Sequence, residues 1–161
     1  MTKPSLSITN ETEIPCMLLP MVEHTIILPN TSVAEMCAVT GLEAIENAPE
    51  WLMGNYNWRG TQVPVVSIEG VNGGEVIFNR GGRIAVLNNT GQNPSLPFIA
   101  IHTQGIPRMS RVGEDDITQD EGAPHRHFDV MAVKVGMEEF FLPDVAALED
   151  AYLKFLSNKT H

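Results

Sequence analysis

Cysteine is nearly absent from this chain: Cys16 and Cys37 are the only two among 161 residues. Both stand in apolar, strand-like runs, which reads as buried free thiols rather than a disulfide and points to a reducing cytosol. Basic residues are also scarce. Ten Lys and Arg against twenty Asp and Glu give a formal charge of −10 and a pI near 4.8. That balance argues against nucleic acid or an anionic membrane surface as a partner and favours other proteins. No apolar run approaches the roughly 18 residues of a membrane span. The first thirteen residues lack the basic-then-apolar order of a signal peptide. The expectation is a cytoplasmic protein with no direct membrane insertion.

What the chain does contain is a series of short apolar runs broken by Gly, Pro and Asn. Strands are expected over residues 14–19, 25–28, 33–39, 62–68, 83–87, 97–102, 128–135 and 138–142, with a weaker candidate at 106–112. Residues 1–13 read as a flexible tail, and the glycine-rich stretch 70–82 as a boundary between lobes. Within 33–39, alternation places Val33, Glu35, Cys37 and Val39 on one face. Glu35 among hydrophobes is then either a solvated edge-strand residue or an exposed contact. Beyond residue 144 the period changes. Val145, Leu148, Tyr152, Phe155 and Leu156 recur at spacings of three and four, which predicts an amphipathic helix over 144–156 started by Pro143 and Asp144. The sum is an all-β protein with a few short helices, built as small barrels or a sandwich rather than a parallel sheet.

Signals for catalysis are thin. Among the histidines only His125 and His127 cluster, and no C-x-x-C or H-E-x-x-H accompanies them, so a solvated loop is expected and no metal or cofactor is assigned. Glu114, Asp115, Asp116, Asp120 and Glu121 do not fall in an EF-hand register. The paired glycines lack the strand–loop–helix context of a phosphate cradle. No G-x-S-x-G is present, and neither cysteine has a polar setting. No catalytic residue is assigned, and the chain is expected not to be an enzyme.

The most informative stretch is residues 47–68, N-A-P-E-W-L-M-G-N-Y-N-W-R-G-T-Q-V-P-V-V-S-I. Asn47 as a cap, Pro49 in the first turn, Glu50 in capping-box spacing and Gly54 as a stop predict a short helix over 48–53. In the strand that follows, Val63, Val65 and Ser67 face one way and Pro64, Val66 and Ile68 the other. Both faces are apolar, which places the strand between two layers. Pro64 cannot donate a ladder hydrogen bond and is expected at a bulge or an edge. Trp51, Tyr56 and Trp58 beside Arg59 have the composition of an interface anchor. The alternative is that the tryptophans are core and Arg59 braces a turn.

The pattern P-x-W-x-x-G-x-x-N-W-R-G-x-x-V-P-V-V-x-I resembles the central motif of the CheW family of chemotaxis adaptors. Val33-Ala34-Glu35-Met36 is similar to that family's V-x-E strand, and residues 141–148 resemble its terminal strand-to-helix segment. The similarity runs from about residue 16 to 156. It implies two small SH3-like five-stranded β-barrel lobes, roughly 14–80 and 81–142, in a single domain of residues 14–157 that carries a C-terminal amphipathic helix. The lobes would meet around a hydrophobic seam. It implies no catalysis. The implied partners are the regulatory domain of a CheA-type histidine kinase and the cytoplasmic tips of methyl-accepting chemoreceptors, with recruitment to membrane-associated arrays. Val33, Glu35, Gly54, Trp58 and Arg59 would face those partners, while Pro49, Trp51, Gly60 and Pro64 would hold the motif in shape.

Three departures stand out. Trp58 replaces an aliphatic residue and Ser67 an aspartate, and the half after Thr103 diverges. These changes are similar to specialised paralogues, the ChpC-type adaptors of pilus-linked arrays that serve twitching motility. Two other readings remain open: a small-ligand-binding or regulatory β-barrel module that reuses the fold without kinase coupling, and an enzyme with a site at His125 and His127.

Overall fold

In the computed structural model, residues 13–123 and 126–159 are described. The expected tail lies almost wholly outside them, as does His125. The chain forms β1 (Ile14–Pro20), β2 (Thr25–Pro29), β3 (Val33–Ala38), β4 (Leu52–Trp58) and β5 (Thr61–Val66). A one-turn helix α1 (Ile68–Val71) precedes β6 (Arg83–Asn88), β7 (Phe98–Thr103) and β8 (Arg108–Val112). Then come β9 (Ile117–Gln119), β10 (Asp129–Val135), β11 (Glu138–Pro143) and the C-terminal helix α2 (Val145–Lys159).

These strands make two sheets. One has six strands in the order β8-β1-β2-β11-β10-β9, and the other has five in the order β3-β6-β7-β5-β4. Pairing is antiparallel except where β11 meets β2 at Phe141 and Ile26, and where β5 meets β7 at Val65–Ala100 and Val66–Ile101. The lobes therefore do not follow the boundary expected near residue 80. Two N-terminal strands join four C-terminal ones, and the whole stretch from β3 to β7 forms the other sheet. The glycine-rich connector only carries the chain from β5 to β6 inside one sheet. The six-stranded sheet exceeds the expected five because β9 forms between Asp116 and Asp120, where no strand is expected from sequence.

Alternation along each strand explains why so many runs are apolar on both faces. Leu18, Ile27, Val133 and Phe140 pack inside the six-stranded sheet. Val63, Val65, Ile84, Val86 and Ala100 pack inside the five-stranded one. The intervening residues Leu19, Ile26, Phe141, Val66, Ala85, Leu87, Ile99 and Ile101 meet in a third cluster between the sheets, joined by Ile68 and Leu148. Each strand thus serves its own lobe with one face and the seam with the other. Helix α2 lies on that seam through Val145, Tyr152, Leu153 and Phe155. Asp144 caps it by accepting the Ala147 N–H at 3.0 Å. Leu153 takes the place expected for Leu156, which stays exposed.

The helix expected over 48–53 is not formed. Asn47 takes φ 61°, outside the extended range of an N-cap. Only isolated turns, Ala48 N–H to Ile45 O and Leu52 N–H to Pro49 O, mark the segment before β4 begins. A six-residue helix is marginal without tertiary support, and here Leu52 gains a ladder to Val66 instead. Gly54 is not a helix stop but lies in β4, where the register shifts between Leu52 and Gly54. Pro64 is on an interior strand rather than at an edge. Pairing with β7 begins only at Val65, so the missing N–H falls just before that ladder.

The connector is tied down by His102, which is buried. Its Nε2 accepts the Asn79 N–H at 3.0 Å, so the ring proton is on Nδ1, 3.2 Å from the Arg83 carbonyl. Burial holds the ring's pKa below its ordinary value of 6.5. The neutral ring therefore stabilises the fold fully above about pH 6.5, and stability falls as pH drops below that value, where the unfolded chain takes up a proton that the folded ring refuses. Urea unfolding at neutral and mildly acidic pH checks this, with a shallower pH dependence expected in His102→Gln than in the parent.

Candidate functional site

The β4–β5 hairpin turns in two residues, Arg59 and Gly60, with φ 51° and 83°. Positive φ at both central positions is a type I′ turn, which favours Asn-Gly. Arginine in the first position is strained. Asn57 steadies the turn by accepting the Gly60 N–H at 3.1 Å.

The turn carries Trp58 and Arg59 to Glu35. The indole N–H donates to Glu35 Oε1 at 2.8 Å, and the Arg59 guanidinium donates to the same oxygen at 3.2 Å. Arg59 also lies over the Trp58 ring, 5.1 Å from its centre. Trp58 also meets Phe98 edge-on at 4.7 Å. β3 and β4 are opposite edges of the five-stranded sheet, so this contact, with the Glu43–Asn55 bridge, closes the sheet on itself. The Trp58 hydrogen bond holds the Glu35 carboxyl below its ordinary range; partial desolvation opposes that shift and Arg59 adds to it. Glu35 and Arg59 both remain exposed, Arg59 at 72%. The tryptophan is thus half core and half surface, and the carboxylate that looked anomalous among hydrophobes is the acceptor for both donors.

Val33 is not in this cluster. A register shift between Val33 and Glu35 inserts a residue into β3, so Val33 packs on the seam with Met36 while Cys37 and Val39 stay inside the lobe. The alternation expected from sequence fails at that bulge. Gly54 is buried, and a Cβ there would stand 2.5 Å from the Glu43 carbonyl oxygen. Its place permits a close backbone approach. Pro49 and Trp51 line a groove of ≈ 510 Å³ against Phe128, Ala151 and Phe155. Trp51 is partly buried on the seam.

Cys16 and Cys37 are both buried and free. Burial raises both thiol pKa values. Among the described residues no group of three His, Cys, Asp or Glu side chains is placed to hold a metal. Sequence reasoning passed over two buried polar sites. Arg126 pairs with buried Asp129 three residues on and lies 4.2 Å from the Phe141 ring centre. Glu149 is buried in α2 and bonded to Thr90 and Asn93. The i,i+3 spacing signals the first; nothing local signals the second.

The model of the CheW-like domain matches residues 15–151. The chain belongs to the CheW-like domain family. No curated protein of similar sequence was found. Among solved structures, the scaffolding protein TtCheW from Thermoanaerobacter tengcongensis superposes with a TM-score of 0.68 at 16% identity, over 81% of this chain and 88% of that one. At that identity the likeness establishes the CheW fold. With it stands the expected class, mostly strands in two lobes with a C-terminal helix.

Proposed function

We propose that this CheW-like protein is a non-catalytic adaptor, coupling the cytoplasmic tips of chemoreceptors to the regulatory domain of a CheA-type histidine kinase. The observation that carries the reading is the Glu35–Trp58–Arg59 cluster. Two charged groups and an aromatic are held in fixed geometry on an exposed lobe surface, the composition of an interface anchor. Family membership supports it, as does the likeness to the scaffolding protein TtCheW. No helix among the described residues is long and apolar enough to cross a membrane. We place the protein in the cytoplasm, recruited to receptor arrays, and the Trp58 and Ser67 departures fit a specialised ChpC-type pathway.

The test is capture of the purified protein by CheA-type regulatory domains. Glu35→Arg places a like charge beside Arg59 and is expected to abolish capture while circular dichroism and cooperative unfolding persist. Arg59→Ala is expected to weaken capture, again with the fold retained, because an exposed pair contributes little to stability. Loss of the folded state in Arg59→Ala would make that arginine a structural brace. Absence of capture by every kinase domain, with the parent protein folded, would overturn the adaptor reading.

A further inference from the structure

The two lobes fill their interiors differently. The five-stranded lobe has Tyr56, Trp58 and Phe98 around its core. Among the described residues the core of the six-stranded lobe has one aromatic, Phe140, among aliphatic, Cys and Met side chains. A cavity of ≈ 210 Å³ remains in the second case, walled by Cys16, Ile27, Val112, Ile117, Val133 and Leu142. It is not sealed. Ile14, also on its wall, is 53% exposed.

The wall offers almost nothing to water. Among the described residues its only polar side chains are Cys16 and Glu114. The Cys16 thiol points to the Ile14 carbonyl of its own strand at 3.6 Å. Burial raises its pKa, so it presents no thiolate. A buried water needs two to four polar partners, whereas an engineered apolar cavity of about 150 Å³ stays dry and takes up benzene. This cavity is larger than that one and similarly apolar, but it opens to solvent beside Ile14.

We propose that the interior of the six-stranded lobe is a binding site for a small uncharged apolar molecule of about one ring, entering beside Ile14. Anions are disfavoured by Glu114 at the wall and by the lack of donors, and polar molecules by the lack of partners. The proposal is independent of kinase coupling.

Benzene is the probe. In methyl-labelled protein, titration is expected to shift the methyl resonances of Ile27, Val112, Ile117, Val133 and Leu142 saturably. Those of Val63 and Val65, inside the other lobe, should stay in place. Val133→Phe and Ile117→Phe each put a ring into the cavity from a different strand, and the variant that retains a folded spectrum is expected to bind benzene about tenfold more weakly or worse. Absence of a saturable shift up to the solubility of benzene would overturn the proposal. So would equal shifts in both lobes. Shifts of the same methyls on adding a CheA-type regulatory domain, with none from benzene, would also overturn it and give the cavity to a partner's side chain.

Discussion

Gly54→Ala is expected to lower stability by about 3–5 kcal/mol, a large share of what a domain of this size has. Two costs combine. Gly54 has φ 152°, a conformation nearly confined to glycine, which costs an L-residue about 1–3 kcal/mol. A Cβ would also stand 2.5 Å from the Glu43 carbonyl oxygen and 3.1 Å from Leu42 Cγ. Relieving that clash pushes apart Glu43 and Asn55, whose two backbone hydrogen bonds of 2.9 and 2.7 Å help close the five-stranded lobe. The separated strands carry Leu52 of the seam and Met53 of the lobe interior. Gly60 is the control. It too has positive φ, 83°, but a Cβ there meets nothing within 4 Å. Gly60→Ala should cost only the backbone share, about 1–2 kcal/mol. Urea denaturation of both variants checks the difference; equal losses would show that the contact with Glu43 yields and that backbone conformation alone sets the cost.

The same glycine shows where the sequence was legible. Apolar runs between breakers placed most strands, and runs apolar on both faces correctly indicated a strand between two layers, as Val65 and Val66 divide between lobe and seam. Local signals failed where a distant partner outweighed them. Pro49 and Glu50 look like a helix start, but Val66, fourteen positions beyond Leu52, decides for a strand. The exchange of β1 and β2 into the C-terminal sheet rests on the ladder of β1 with β8 and on a parallel contact between Ile26 and Phe141, which no local pattern reports. At the candidate site, Glu35, Trp58 and Arg59 were each visible as unusual residues. What brings them together is the curl of the sheet and the turn at Arg59 and Gly60, and the bulge that removes Val33 leaves no signature in residue type.

Glu149 is the residue most misleading in sequence, and its replacement should have the second large effect. On an amphipathic helix beside Asp150 it reads as a solvated charge, yet it is 0% exposed. Its carboxylate accepts the Thr90 N–H at 3.1 Å, the Thr90 hydroxyl at 2.8 Å and the Asn93 side-chain N–H at 3.1 Å. No salt bridge to a cation is present for it among the described residues. Three donors therefore supply what bulk water would, and they come from the loop between β6 and β7. That loop also delivers Leu96 into the seam, where α2 packs through Leu148. Glu149→Ala removes the shared acceptor and opens a void beneath the helix, while Thr90, which is exposed, can turn its donors to water, for an expected loss of about 2–3 kcal/mol. Glu149→Gln retains one acceptor oxygen but turns an amide donor toward other donors, so it should recover only part of the loss. Hydrogen exchange at the Thr90 amide separates the mechanisms. If Glu149 holds the loop to α2, that amide should lose protection in both variants, and more than amides of β10, which lies in the other sheet. Unchanged protection at Thr90 with lowered global stability would mean that the loop is held by Leu96 and that the helix alone responds.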